Sequence, residues 1–312
     1  MSRLLGRSSR IDLGPLETVD TGVVSIDGRS VRLTHLERVV WPETGTAKRE
    51  LVEYLLAIAP MLLPHLAGRA TMLWRFPEGV AGPGWFQAQC RSRPSWVATH
   101  DVIGARGDLL RYCVIEERAT LAWLANLGTI ELHPHNWTVE RPAEPTALVF
   151  DLDPGPPAGL VEAAQVALLV RERLVDLGRS PVVKSSGGLG LHVACPLEPG
   201  RTFDETKAFA RSIAEALATE RSELIVARSV RAERSGRVYI DWIENDRNRQ
   251  LVAAYSPRAT PIPTVSTPLA WQEVEAAAEG RVIGLRPSFA EVLDRVERLG
   301  DLWLPQSSIR SS

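Results

Sequence analysis

The sequence predicts an α+β fold built on a βαββαβ core, and three observations predict it. Two-residue periodicity marks short strands over 147–152, 181–185, 190–195 and 237–243. Helical patterns over about 159–177 and 203–220 separate them, the second opened by the capping pair Thr202 and Glu205. The two middle strands are joined only by Ser186-Gly187-Gly188, a turn with no room for a helix. In this split arrangement the first and last strands become neighbours in the sheet.

The preceding chain reads as a smaller module. Val23 to Leu33 alternates around Asp27-Gly28 and predicts a hairpin. Trp41 to Gly45 is a loop, and Thr46 caps an amphipathic helix from about Lys48 to Leu66. A Gly/Pro-rich loop from Gly79 to Gln89 ends in Trp85 and Phe86, a pair suited either to stacking on bases or to burial. A short helix over 119–127 precedes an extended stretch with His133 and His135 on one face. Such a pair either ligates metal or sits half-buried at a surface. The division expected is an arm over 1–22 and one domain over 23–305. That domain has an N-terminal module (23–145), a catalytic core (146–260) and a C-terminal helical segment (261–305).

Composition narrows the functional classes. The 312 residues are 45% hydrophobic, enough for a packed core. No apolar run reaches the roughly 18 residues of a membrane helix. Met1 to Arg10 is polar, without a secretory apolar stretch. Three scattered cysteines, Cys90, Cys113 and Cys195, suggest reduced thiols and a cytoplasmic protein. A net charge of −2 means that any nucleic-acid surface must be local. Lys48, Lys184 and Lys207 are the only lysines, so the cations are nearly all arginine. Lys48 falls in the first turn of its helix, where the dipole repels a cation, a placement that suits an anionic partner.

The chemistry gathers on one sheet face. Leu148, Phe150 and Leu152 point one way and Val149, Asp151 and Asp153 the other. By the same alternation Tyr239 and Asp241, and His192, face away from the helices. Three separate pieces of chain thus deliver Asp151, Asp153, Asp241 and His192 to one surface. Carboxylates so placed repel each other unless a cation lies between them. Together they suit two divalent ions about 3.5–4 Å apart. The turn at Ser186 and Gly187 offers backbone N–H groups to phosphates. Arg228, Arg231, Arg234, Arg237, Arg247, Arg249 and Arg258 surround the last strand, either as phosphate binders or as a solvated face.

Asp151-Leu-Asp153-Pro, Ser185-Ser-Gly-Gly-Leu-Gly-Leu-His192 and Tyr239-Ile-Asp241-Trp-Ile-Glu-Asn245 resemble the successive motifs of the archaeo-eukaryotic primase superfamily. The nearest resemblance is to the polymerase domain of bacterial ATP-dependent DNA ligase D, over roughly residues 30 to 300. The resemblance implies a primase-polymerase that adds ribo- or deoxyribonucleotides to DNA ends or short gaps. It implies two Mn²⁺ or Mg²⁺ ions on Asp151, Asp153 and Asp241, and contacts from Ser186 and His192 to the triphosphate. It implies His133 near the sugar, and Arg228, Arg231, Arg249 and Arg258 around the nucleotide. Trp85 and Phe86 would support the template base, and Arg38 and Lys48 would hold a downstream 5′-phosphate. The partners implied are NTP or dNTP, DNA carrying a 5′-phosphate, Ku, and an ATP-dependent ligase acting in trans near the nucleoid. Relatives carry lysine where this chain has Arg228, Arg249, Ala88 and Leu189, and glutamine where it has Glu244.

Two other readings compete. In a haloacid-dehalogenase-type phosphatase Asp151 would be the nucleophile, Asp153 the acid and Lys184 the later lysine. In a catalytically weak DNA-end-binding module the fold would persist while Leu189 impairs triphosphate use.

Overall fold

The computed structural model describes residues 20–104 and 107–303, so most of the expected N-terminal arm lies outside the described residues. The expected hairpin is present as β1 (Gly22–Ile26) and β2 (Arg29–Leu33). Asp27 and Gly28 both take positive φ, which matches the right-handed twist of paired strands. The strands β3 (Val39–Trp41) and β4 (Thr46–Ala47) lead into helix α1 (Lys48–Leu66). Thr46 is not its cap. Its hydroxyl pairs with Thr44 at 2.8 Å, and the Glu50 carboxylate instead accepts the Ala47 N–H at 2.6 Å.

The N-terminal sheet comprises β5 (Ala70–Arg75), β6 (Trp85–Gln87), β7 (Thr99–Ile103), β8 (Leu109–Val114) and, beyond helix α2 (Arg118–Asn126), β9 (Thr129–Pro134). The loop residues Trp85 and Phe86 form β6 because Phe86 pairs with Trp74 and Trp85 with Arg75. The expectation of three reduced thiols is corrected here. Cys90 and Cys113 form a disulfide with Cα atoms 5.1 Å apart, and only Cys195 is free and buried. Their spacing of 23 residues concealed this. The Gly/Pro-rich loop folds back so that Cys90 N–H meets the Arg111 carbonyl at 2.6 Å, beside Cys113. Cysteine usage therefore supports no statement about compartment.

The core follows the predicted order: β10 (Ala147–Pro154), α3 (Leu160–Asp176), β11 (Val182–Ser185), β12 (Leu191–Pro196), α4 (Phe203–Glu220), β13 (Ile225–Val226) and β14 (Val238–Asp241). The chain then runs through β15 (Pro257–Arg258), β16 (Thr264–Val265), β17 (Pro268–Leu269), α5 (Trp271–Ala278) and α6 (Phe289–Leu299). The sheet order is β13-β14-β10-β12-β11-β17, so the first and last strands of the predicted core are neighbours. The edge strands β13 and β17, two residues each, are too short for periodicity to reveal. Thr202 and Glu205 make the expected capping box, with Glu205 N–H to the Thr202 hydroxyl at 3.2 Å. Such a cap is worth about 0.5–2 kcal/mol.

Alternation sorts the two faces as the sequence requires. Leu148, Phe150, Leu152, Leu191, Val193, Cys195, Val238 and Ile240 pack in one core with Ala163, Val166, Val170 and Ile213 of α3 and α4. The opposite face is only partly open. Ala147, Val149 and Ala194 are covered by Leu251 and Trp303, so the return of the chain roofs one end and leaves the carboxylate end exposed.

The last strand is shorter than expected. It stops at Asp241, whose carboxylate accepts the Ile243 N–H at 2.9 Å and opens a 3₁₀ turn over Trp242–Asn245. Two side-chain amides then complete the edge of β10. Asn245 accepts from Val149 N–H at 2.9 Å and donates to its carbonyl at 2.6 Å. Asn136 does the same at Ala147, at 3.1 and 2.7 Å.

The two sheets are tied together by the returning segment. Ala253 N–H bonds to Leu132 O, Leu132 N–H to the Ser256 hydroxyl, and Thr267 and Ser185 exchange backbone hydrogen bonds. This joint brings β9 against the carboxylate face.

Candidate active site

Asp151 lies opposite His192 on one side and Asp241 on the other, with Asp153 two residues further along the same face. The expected convergence of the four groups is present. His192 Nε2 approaches Asp151 Oδ1 at 3.1 Å. Burial pushes the Asp151 carboxyl up to about 6, against the pull of Lys184, Arg258 and Arg234. Desolvation and the charges of Asp151 and Asp241 push Asp153 upward, although solvent reaches it at the strand end and screens it. Asp241 also rises, mainly through burial. Glu244 is pushed up to about 8 by burial and by Asp151 and Asp241.

The donor set fits hard divalent cations. Asp151 Oδ1 is buried and, although His192 Nε2 lies 3.1 Å away, accepts no hydrogen bond of good geometry, and each carboxylate is raised in the direction that a cation would reverse. Among the described residues no three His, Cys, Asp or Glu groups already close on one metal-sized point. The carboxylates form a divided negative face and not a finished cage.

Behind Asp151 runs a buried chain of polar groups. Lys184 is 1% exposed, and its ammonium nitrogen lies 2.7 Å from His192 Nδ1 and 2.6 Å from the Ser266 hydroxyl. Burial drives the Lys184 and His192 pKa values well down. Next to them is the Gly-rich turn. The expectation that its N–H groups are open to phosphates is corrected. Gly187 N–H bonds to the Ser185 hydroxyl at 2.9 Å, and Gly188 and Gly190 N–H bond to the Ser186 hydroxyl at 3.1 and 3.3 Å. A tight turn shielded from water satisfies its own donors. Ser186 retains its own O–H. Gly187 is required by its φ of +78° and by Arg258, whose Cγ would lie 2.5 Å from an added Cβ.

The N-terminal sheet supplies the facing wall. His133 Nε2 donates to the Glu131 carboxylate at 2.8 Å, and its ring meets Phe86 edge-on at 5.6 Å. Phe86 stacks on Trp74, and Arg75 lies over Trp85, while both aromatics of the pair remain exposed. His135 does not join His133 as a metal pair. It is buried, with Nδ1 2.7 Å from Ala70 O and Nε2 2.7 Å from the Gln250 amide nitrogen.

The arginines divide. Arg258 points inward, 3.2 Å from Glu131. Arg228 and Arg249 stand at the rim, 3.5 and 3.6 Å from Glu233 and Glu244. Arg231 and Arg234 line a cavity of about 690 Å³ with Asp153, Ser229 and Ser235. Gly155, on the wall of that cavity, lets the Arg234 backbone approach, since a Cβ there would lie 2.1 Å from the Arg234 carbonyl oxygen. Arg234 lies 3.8 Å over the Tyr239 ring, beside the carboxylates.

The two residues expected to hold a downstream 5′-phosphate differ in exposure. Lys48 is buried, and its ammonium donates to Thr34 O at 2.8 Å and Asn126 O at 3.2 Å. It holds two loop ends together and is not offered to a phosphate, because its helix starts against them. Arg38 Nη1 donates to Pro77 O at 2.7 Å and to the Glu78 carboxylate at 3.2 Å, and its side chain remains 36% exposed. Glu131 was missed from the sequence, and Arg234 was not singled out there. The i, i+2 spacing of Glu131 and His133 was the available signal for the first. The second was visible only as one arginine among seven.

A family model described as the LigD primase-polymerase domain matches residues 47–303. The multifunctional non-homologous end joining protein LigD of Mycolicibacterium smegmatis is 36% identical over 280 residues, 88% of this chain and 36% of that protein. The LigD of Mycobacterium tuberculosis H37Rv is 32% identical, over 89% of this chain and 37% of its own length. The chain thus spans little more than a third of these relatives. A solved structure described as the polymerase domain from Mycobacterium tuberculosis ligase D in complex with DNA superimposes with a TM-score of 0.80 and 34% identity, covering 87% of this chain and 96% of that one. This chain belongs to the LigD primase-polymerase domain family.

Proposed function

We propose that this chain extends DNA ends and fills short gaps with ribo- or deoxyribonucleotides. The observation that carries the reading is the meeting of Asp151, Asp153 and Asp241 beside His192 on one sheet face. In the reaction the 3′-hydroxyl oxygen of a primer attacks the α-phosphorus of the nucleotide. The bond to the bridging oxygen breaks, and pyrophosphate leaves with the electron pair.

Asp151, Asp153 and Asp241 would hold two Mn²⁺ or Mg²⁺ ions. Bound there, such ions lower the pKa of an attacking hydroxyl and neutralise phosphate charge. The protein's own groups position the reactants. The Ser186 hydroxyl and His192 contact the triphosphate, with Arg258 behind the turn and Arg228, Arg231 and Arg249 around the rim. His133 faces the sugar. Trp85 and Phe86, exposed and backed by Arg75 and Trp74, support a template base. DNA with a 5′-phosphate is the polynucleotide substrate, and Ku and an ATP-dependent ligase activity are the partners, at the nucleoid in the cytoplasm. No helix among the described residues is long and apolar enough to cross a membrane. A phosphatase reading would leave Asp241 idle, and Lys184 is already committed to His192 and Ser266.

Extension of a labelled primer on gapped DNA with Mn²⁺ tests the reading. Wild type adds nucleotide. Asp151→Ala with Asp153→Ala abolishes addition while the fold persists, because two mutually repelling carboxylates do not support it. Wild-type activity in that double variant would overturn the assignment.

A further inference from the structure

We propose that Glu131 is the positioning residue that locks His133 and Arg258 into one preformed nucleotide cradle. The proposal rests on the nucleotide reading of those two residues and deepens it.

Glu131 is 1% exposed, and both of its oxygens are used. Oε2 accepts from His133 Nε2 at 2.8 Å. Oε1 accepts from Ala259 N–H at 2.9 Å and faces Arg258 Nε at 3.2 Å, an ion pair held by charge and not by hydrogen-bond geometry, since that N–H is buried without a hydrogen-bond partner. The donors come from two pieces of chain, β9 and the segment around β15, more than 120 residues apart. Each held group has a second constraint. The His133 ring is wedged by Phe86, edge-on at 5.6 Å. The Arg258 stem rests against Gly187 of the phosphate turn, where no Cβ fits. One carboxylate therefore spaces the sugar-side imidazole from the phosphate-side guanidinium.

The geometry also fixes how His133 is presented. Its Nε2 carries the proton donated to Glu131, so the neutral ring offers Nδ1 as an acceptor. On the nucleotide reading, which puts the sugar at this ring, that acceptor takes a hydrogen bond from a hydroxyl. A ribose supplies one hydroxyl more than a deoxyribose. Burying a carboxylate is costly, and an apolar side chain would join the two strands more cheaply. The ion is explained by what it holds.

A positioning role and a merely structural one separate in single-nucleotide addition on gapped DNA. Both contacts act on bound nucleotide before chemistry, so their loss raises KM and spares kcat. Glu131→Ala is expected to raise KM for ribonucleotides by about tenfold or more, from the range of hydrogen bonds to charged groups. It is expected to leave kcat within about threefold and to narrow the ratio of ribo- to deoxyribonucleotide use. Glu131→Gln keeps one acceptor without the charge and falls between. Added to His133→Ala, Glu131→Ala costs less than it does alone, because it acts partly through that ring. A melting-temperature loss with unchanged KM, or full additivity with His133→Ala, would overturn the proposal while leaving the polymerase reading intact. If Glu131→Ala does not fold, Glu131→Gln decides by the same KM and ratio. A wild-type protein that neither binds nor adds nucleotide overturns the nucleotide reading and this inference with it.

Discussion

The site has an inner wall and a rim, and they are held in different ways. On the wall, Lys184, His192, Glu131 and Arg258 are buried or nearly so, and each side chain has a partner fixed by another element. On the rim, Arg228 and Arg249 are exposed and reach acids only at 3.5 and 3.6 Å. Leu189, at the tip of the turn, is exposed and uncharged. The wall is set before substrate arrives, and the rim can follow it. Preorganised groups lose little on binding, whereas exposed long side chains lose rotamer entropy and are screened by salt.

Removing one arginine from each region breaks or sharpens this contrast. Arg258→Met is expected to raise KM for nucleotide by roughly ten- to a hundredfold, as a charged hydrogen-bond donor is lost from a desolvated place. It also lowers the melting temperature, because Glu131 loses its ion partner. Arg228→Met is expected to change KM by less than about threefold. Equal effects in steady-state titrations would erase the distinction between wall and rim.

Leu189→Lys places at the rim the cation that the family resemblance leads one to expect there. A fully desolvated ammonium in this turn would act strongly, but Leu189 is 51% exposed. The expected gain is therefore a fall in KM of about two- to fivefold, within the range of exposed ion pairs. Nucleotide titration of single-step addition checks it. An unchanged or higher KM in a folded variant would mean that the phosphates lie away from this turn.

The smallest effect is on stability and pH. Glu244 belongs to the wall by burial and to the rim by its partner Arg249. Its folded pKa, raised from 4.5 to about 8, means that the folded protein holds a proton that the unfolded chain has released between those values. Stability from this group is thus present at low pH and lost as pH rises through about 8. Glu244→Gln removes that loss. Lys184, with its pKa driven down, contributes the opposite slope in both proteins and cancels in the difference. Melting curves without divalent ions from pH 7 to 8.5 should therefore show the variant gaining on wild type as pH rises, about as far as the upper part of the Glu244 shift allows. Parallel curves would place the Glu244 carboxylate in water.

The catalytic core was the legible half of the chain. Strict alternation put Asp151, Asp153, Asp241 and His192 on one face, and a cap as explicit as Thr202 with Glu205 located α4 within the sequence. The wall was harder to read, because its meaning lies in pairings between distant segments. Nothing near Glu131 announces Arg258, and nothing near Lys48 announces that Thr34 and Asn126 will surround its ammonium. A cation in a first helical turn reads as a ligand for an anion until the carbonyls that claim it are known. Likewise the Gly187 and Gly188 N–H groups look available in sequence, and only the folded turn reveals the two serine hydroxyls that satisfy them.

The two asparagines along β10 bear on the aspartates of the candidate site in another way. Asn136 grips Ala147 and Asn245 grips Val149, each through both backbone atoms, like two pins set one tooth apart on a rack. A strand can slide against its neighbours by one residue at modest cost in hydrogen bonds, yet that single step would turn Asp151 and Asp153 into the helices and bring Leu152 to the surface. Paired backbone strands tolerate such a step, because every rung of a ladder resembles the next. A side-chain amide does not, because it sits at a fixed place and matches one residue only. The last asparagine of the Asp241–Asn245 motif is in this sense an indexing part: it keeps the phase of the strand on which the chemistry is written.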